Sequence, residues 1–216
     1  MIAPIQKNYE QKDIKANTLR TIDYFGHPVQ REIDNNHKQS FYLQGICLLF
    51  KKSLYLETGG LDNTFFMYFE ETDWFWRLNL YKKSFSYVSN IYVNHYGSGT
   101  IANGKKIKYL SFLWRNQNCL QMLIKNYEIK NLIWVLPIYL LQNIIEITVF
   151  LIILKPKIAF SYVEGWIYNI KILNKTLKKR KIIQQSRLIT DKEIFKNMYK
   201  GLGKFKHLYQ VLGLNK

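Results

Sequence analysis

Glu70, Glu71 and Asp73 place three carboxylates within four residues, directly after the bulky run Phe65-Phe66-Met67-Tyr68-Phe69. In a chain of net charge +17, such an acidic cluster needs a local reason. Apolar neighbours raise a carboxyl pKa and an adjacent carboxylate raises it further, so one member of the group can serve as a general base near neutral pH. The same oxygens can hold a divalent cation. They can also simply cap a helix, because carboxylates in a first turn are favoured by the macrodipole.

The surrounding pattern says what must position these groups. Glu70 to Lys83 reads as a helix, with the acids in its first turn and Lys82-Lys83 in its last. Asp73 and Arg77 are four apart and face each other across one turn. Phe75, Leu78 and the tryptophans, Trp74 and Trp76, supply an apolar face. Upstream, Phe41–Phe50 is an apolar run of strand length interrupted by Gly45, a residue that marks a bulge or the close approach of a ligand. Lys52–Glu57 suits a short helix stopped by Gly59-Gly60, a pair able to take positive φ. Phe85–Val88 and Ile91–His95 alternate like strands around a Ser89-Asn90 break, and weaker strand signals lie at Ile2 and Thr18–Tyr24. Gly97–Gly104 reads as a loop, which suggests a boundary near residue 105 between a first α/β unit (1–105) and a helical extension (106–216).

That extension opens with a helix over Ile107–Lys125. Leu132–Leu154 follows, with sixteen Leu, Ile, Val and Phe. Those residues contribute roughly −5 to −10 kcal/mol to membrane insertion, against about 3 kcal/mol for a central Glu146 and further penalties at Pro137, Gln142 and Asn143. Gln142, Asn143 and Glu146 share one face. The segment therefore either lies in the interface or belongs to a helix hairpin with that face turned inward. From Lys155 to the end, fifteen Lys and Arg oppose only Glu164, Asp191 and Glu193. A basic tail behind so apolar a segment suits an anionic membrane surface, at the cytoplasmic face, better than nucleic acid. Cys47 and Cys119 match no metal or redox spacing and read as reduced thiols. Met1-Ile-Ala-Pro begins without a basic segment and apolar stretch, so no signal peptide is expected.

In order and spacing, Gly45, Lys51-Lys52, Gly59-Gly60-Leu61-Asp62, Phe65-Phe66, Glu70-Glu71, Asp73, Arg77 and His95 resemble the acceptor-side motifs of family 2 glycosyltransferases of the rhamnosyltransferase-like kind. The likeness covers residues 40–100 and continues more loosely through Arg115-Asn116, Lys125-Asn126-Tyr127 and the basic run Lys178–Lys181. It implies an α/β fold, the C-terminal half of a GT-A domain, followed by a helical, membrane-associating tail. It implies inverting transfer of a sugar from a nucleoside diphosphate donor to a cell-surface polysaccharide or lipid-linked acceptor, with a divalent cation, Mg or Mn, on the diphosphate. Glu71 would be the base, with Glu70 and Asp73 supporting it. Gly45, Trp74 and Arg77 would line the substrate side, and His95 would approach the metal.

Departures accompany the likeness. Glu71 stands where the family has Asp, Leu61 where it has Phe, Lys82 where it has Gly at the helix end, and Ser89 where Pro is common. No Asp-x-Asp occurs anywhere in the chain; Glu32-Ile-Asp34 and Glu71-Thr-Asp73 come nearest. In the family that motif closes a strand-rich nucleotide-binding half, so the chain reads as a C-terminal portion whose N-terminal half lies elsewhere, inactive by itself. The competing reading is a non-catalytic membrane-surface protein with a degenerate transferase domain. Replacing Glu71 would abolish transfer on the first reading and leave lipid binding intact on the second.

Overall fold

The computed structural model describes residues 1–8, 18–32, 39–95 and 105–204, and the expected Gly97–Gly104 loop lies outside them. The chain is a mixed α/β protein whose described part divides into two compact units. One gathers Met1–Gly60, Trp74–Gly97 and Leu188–Lys216; the other gathers Leu61–Asp73 and Ser98–Arg187. The division does not follow a single cut near residue 105, because two segments change sides.

In the first unit, β1 (Ile2–Asn8) pairs in parallel with β4 (Ser86–His95). Pro4 pairs with Val88 but Ile5 with Tyr92, so Ser89–Ile91 bulge from one continuous strand. The break expected at Ser89-Asn90 is this bulge. It falls beside Pro4, which has no N–H to continue a ladder. An antiparallel hairpin joins β2 (Thr18–Ile22) to β3 (Pro28–Glu32), the latter carrying no clear signal in the sequence. Its turn is built on Asp23, whose Oδ1 accepts from the N–H groups of Phe25 at 2.9 Å and His27 at 2.8 Å. Asp23 Oδ2 also receives Gly203 N at 2.7 Å, and Tyr199 N reaches Ile22 O at 2.9 Å, which draws the C-terminal segment into this unit.

Phe41–Phe50 is not a strand. Gly45 sits in an exposed turn, and only Leu49 bridges to Ile2. Phe41, Tyr42 and Leu43 are buried without a ladder, Phe41 lying edge-on to Trp76 at 5.7 Å. Burial accounts for these first three residues without strand pairing, while Leu49 stays exposed.

The short helix α1 (Lys52–Glu57) ends as expected, with Gly59 and Gly60 at φ 73° and 51°. Gly60 is required there: a Cβ would stand 2.2–2.5 Å from the Tyr55 ring. Next, α2 (Glu70–Leu80) contributes its first turn to one unit and its remainder to the other. It stops short of Lys83, in a Schellman turn where Lys83 N bonds Leu78 O and Lys82 N bonds Asn79 O. Lys82 takes the left-handed position, φ 54°, that glycine would fill without strain. Trp74, Phe75, Trp76, Leu78 and Leu80 are fully buried and form the core of the first unit, and α7 (Asp191–Phe195) lies in its last segment.

The second unit is helical: α3 (Lys105–Asn126), α4 (Ile129–Ile152), α5 (Pro156–Lys171) and α6 (Leu173–Ser186). α3 packs on α5 and α6, and α4 packs on α5. The α3–α5 approach depends on Gly165, where a Cβ would meet Gln117 N at 3.2 Å. One turn on, Asn169 Nδ2 donates to Gln117 O at 2.9 Å and closes the crossing.

Candidate functional site

The second unit holds the acidic loop against one stripe of α3. Asn118, Gln121 and Lys125 recur at three and four residues, hence on one side of the helix, and each grips the segment 61–73. Asn118 Nδ2 donates to the carbonyls of Met67 and Tyr68 at 2.9 and 2.8 Å, and Gln121 Nε2 donates to Thr64 Oγ1 at 2.8 Å. Lys125 Nζ donates to Asp62 Oδ2 at 2.5 Å and to Asp73 Oδ2 at 3.0 Å, with the Phe65 ring 4.5 Å from its nitrogen. Asn126 Nδ2 completes the arrangement at Asp73 Oδ1, 2.8 Å away.

Asp62 is the second anchor. Its Oδ1 accepts from Thr64 N at 3.0 Å, Thr64 Oγ1 at 2.6 Å and Lys179 Nζ on α6. Burial by itself would raise the Asp62 carboxyl, but the Lys125 charge and the Lys125, Lys179 and Thr64 hydrogen bonds outweigh it and hold the group well below the usual carboxylate range. Two acids and two lysines thus form a compensated, largely buried network. Its cost would be prohibitive if any one charge stood alone.

Between these anchors the backbone is strained. Tyr68 and Phe69 both take φ 69°, which costs a non-glycine residue about 1–2 kcal/mol each. Asn118 holds the two carbonyls through this stretch, and Asp73 N then bonds Phe69 O to start α2. The outcome is that Glu70 and Glu71 stand adjacent on a first turn whose approach is fixed from outside the helix.

Both glutamates are half-buried and both are perturbed. Burial pushes the Glu71 carboxyl up to about 7, and the charge of Glu70 adds to that, against partial relief from the N–H groups of Glu71 and Thr72. Burial raises Glu70 as well, and its Oε2 is enclosed without a hydrogen-bond partner. A carboxyl near 7 is divided between its two forms at neutral pH, the condition under which a general base both accepts and releases a proton.

Of the residues singled out in the sequence, Glu70, Glu71 and Asp73 come together in this unit. Asp73 differs from the other two, since Lys125 and Asn126 occupy both its oxygens. Gly45, Trp74, Arg77 and His95 belong to the other unit. Trp74 is fully buried, donating Nε1 to Thr58 Oγ1 at 2.8 Å with Phe50 and Tyr55 edge-on to it, so no ring face is left for a sugar. Arg77 is buried too and donates to Thr58 O and Gly60 O, both at 2.5 Å, which ties down the Gly59-Gly60 turn. His95 ends β4, half-exposed, paired in register with Asn8.

Asp62, Asn118, Lys125 and Lys179 are the residues that sequence reasoning did not place in the site. Lys179 lay inside the basic run Lys178–Lys181, part of the tail expected to face an anionic membrane surface. Two of its four members turn inward: Lys179 to Asp62, and Arg180 to the carbonyls of Ile124 at 2.5 Å and Tyr127 at 2.6 Å.

Among the described residues no group of three or more His, Cys, Asp or Glu is arranged to hold a metal ion. Glu70 and Glu71 offer two carboxylates, and Asp62 and Asp73 are engaged by lysine. These residues do not by themselves make a metal site. Comparison of the chain with protein-family models, with curated proteins and with solved structures finds no match.

Proposed function

We propose that the chain is the acceptor-side part of an inverting glycosyltransferase, with Glu71 as its general base. Glu71 takes the proton of an acceptor hydroxyl while that oxygen attacks the anomeric carbon. The bond from that carbon to the nucleoside diphosphate breaks on the opposite face, and the diphosphate leaves with its electron pair. Glu70 keeps the Glu71 carboxyl basic through its adjacent charge. Asp73 and Asp62, neutralised by Lys125 and Lys179, act as positioning residues that fix the loop.

The observation that carries this reading is the Glu71 carboxyl, held near 7 on a helix turn whose entry is strained and clamped. A carboxylate serving only as a helix cap would gain nothing from such burial. The motif order from Gly59 to Arg77 supports the reaction class.

The test is genetic and does not require the donor-binding part in purified form. The gene is deleted in its own cell, and the cell-surface glycan is compared after return of wild-type, Glu71→Gln or Glu71→Asp genes. Wild type should restore the glycan and Glu71→Gln should not, with protein levels equal by immunoblot. Full restoration by Glu71→Gln would remove the base from the mechanism. Glu71→Asp shortens the side chain to the family's usual acid and should retain activity.

A further inference from the structure

The helix α4 has two unlike sides. At 3.6 residues per turn, its buried residues Leu132, Val135, Tyr139 and Asn143 fall within an arc of roughly 80°, and Glu146 continues that stripe. The opposite side carries Ile133, Leu141, Ile144, Ile145 and Ile152, between 51% and 73% exposed. Only 17% of the most apolar stretch of this 24-residue helix is buried. A monomer that folds in water seldom leaves so long an aliphatic face open. α5, packed on α4, does not extend this surface, because its exposed Phe160 and Ile167 flank the exposed Glu164 on one helical stripe.

Lysines rim this surface. Lys130 lies at the start of α4, and Lys155 and Lys157 follow its end, in and beside the turn where Lys155 N closes on Phe150 O. All three are exposed, Lys130 being paired to Glu128 at 3.3 Å. A symmetric pairing with a second copy would bring two like-charged rims together. An anionic lipid leaflet meets both features at once, the aliphatic face in the acyl region and the lysines at the headgroups.

We infer that the helical unit docks on one leaflet of an anionic bilayer through the exposed side of α4, with α4 lying in the interface and not crossing it. Length and composition alone would let α4 cross. Its buried stripe argues otherwise. That stripe is covered along most of its length by protein, and α5 carries the exposed Glu164 at mid-helix, while α3 carries the exposed Arg115. A crossing α4 would drag those charges to the depth of the hydrocarbon core, whereas a half-immersed α4 leaves them on the aqueous side. The inference rests on this face alone and stands whether or not Glu71 is a base.

The full chain, added to sealed vesicles, tests it by flotation. It should float with vesicles containing phosphatidylglycerol and partition more weakly to pure phosphatidylcholine. Lys155→Gln with Lys157→Gln should weaken binding about 25-fold, at about fivefold per lysine. Leu141→Asp with Ile145→Asp should abolish binding while far-UV circular dichroism stays unchanged. The readout independent of these variants uses Ile144→Cys in a Cys47→Ser background, carrying an environment-sensitive fluorophore. It should shift to the blue on anionic vesicles. In the same background, Lys155→Cys should react with a membrane-impermeant maleimide without detergent. No flotation, or no fluorophore shift, overturns the docking. Reaction of Lys155→Cys only after detergent opens the vesicles overturns the one-leaflet placement and makes α4 a crossing helix.

Discussion

Replacing Glu71 by Gln should stabilise the protein at alkaline pH and leave it unchanged in acid, because the native site opposes ionisation of that carboxyl. Its folded value stands at about 7 against an ordinary 4.5, with burial the larger cause and the Glu70 charge the second. A raised carboxyl means that the folded chain holds more protons than the unfolded one between those two values. Stability therefore falls as pH rises from 4.5 through 7 and is flat above. The gap of about two and a half units, at about 1.4 kcal/mol per unit, sets an upper bound near 3.5 kcal/mol. Half-burial reduces the expected effect to about 2 kcal/mol. Gln is neutral throughout and escapes the cost. Urea unfolding of wild type and Glu71→Gln, followed by far-UV circular dichroism from about pH 4 to about pH 8, reads the difference directly. The gap should open from near zero to about 2 kcal/mol across that range. Glu70→Gln should shrink the gap by removing the second cause. A stability difference that stays flat with pH would refute the perturbed carboxyl, and with it the physical basis for a base at this position.

Lys125→Met leaves Asp62 and Asp73 facing each other in the interior, and should cost about 3–5 kcal/mol at neutral pH. Because the Asp62 carboxyl is held below its usual range, its contribution is present above the unfolded value and lost as pH falls through the folded one. The cost of Lys125→Met should therefore shrink in acid; a penalty under about 1 kcal/mol at neutral pH would contradict the network. Gly60→Ala meets the Tyr55 ring at 2.2–2.5 Å in a left-handed backbone, and should cost about 3 kcal/mol in urea midpoints. Tyr55→Ala should return part of it, and an additive double variant would argue against the clash. Lys82→Gly relieves the φ 54° position that ends α2 and should raise stability by about 1 kcal/mol, seen as a higher Tm. An unchanged or lower Tm would mean that the gain in unfolded-chain entropy cancels the relief.

What the sequence by itself determined was local. The helix at Glu70 with its acidic first turn, the Gly59-Gly60 stop and the long apolar helix are each written in spacings of a few residues, where backbone preference and periodicity act. The apolar run Phe41–Phe50 shows the limit of that logic, since its buried start, Phe41–Leu43, fits an irregular segment as well as a strand. Only the tertiary structure decided which charges turn inward. Lys179 reaches Asp62 across 117 positions and Lys125 reaches it across 63. Arg77 went to the carbonyls of Thr58 and Gly60, and Trp74 into the core. A lysine has the same local preferences whether it faces water or a buried carboxylate. Its pairing is set by what the fold brings beside it, and so is the pKa of Glu71.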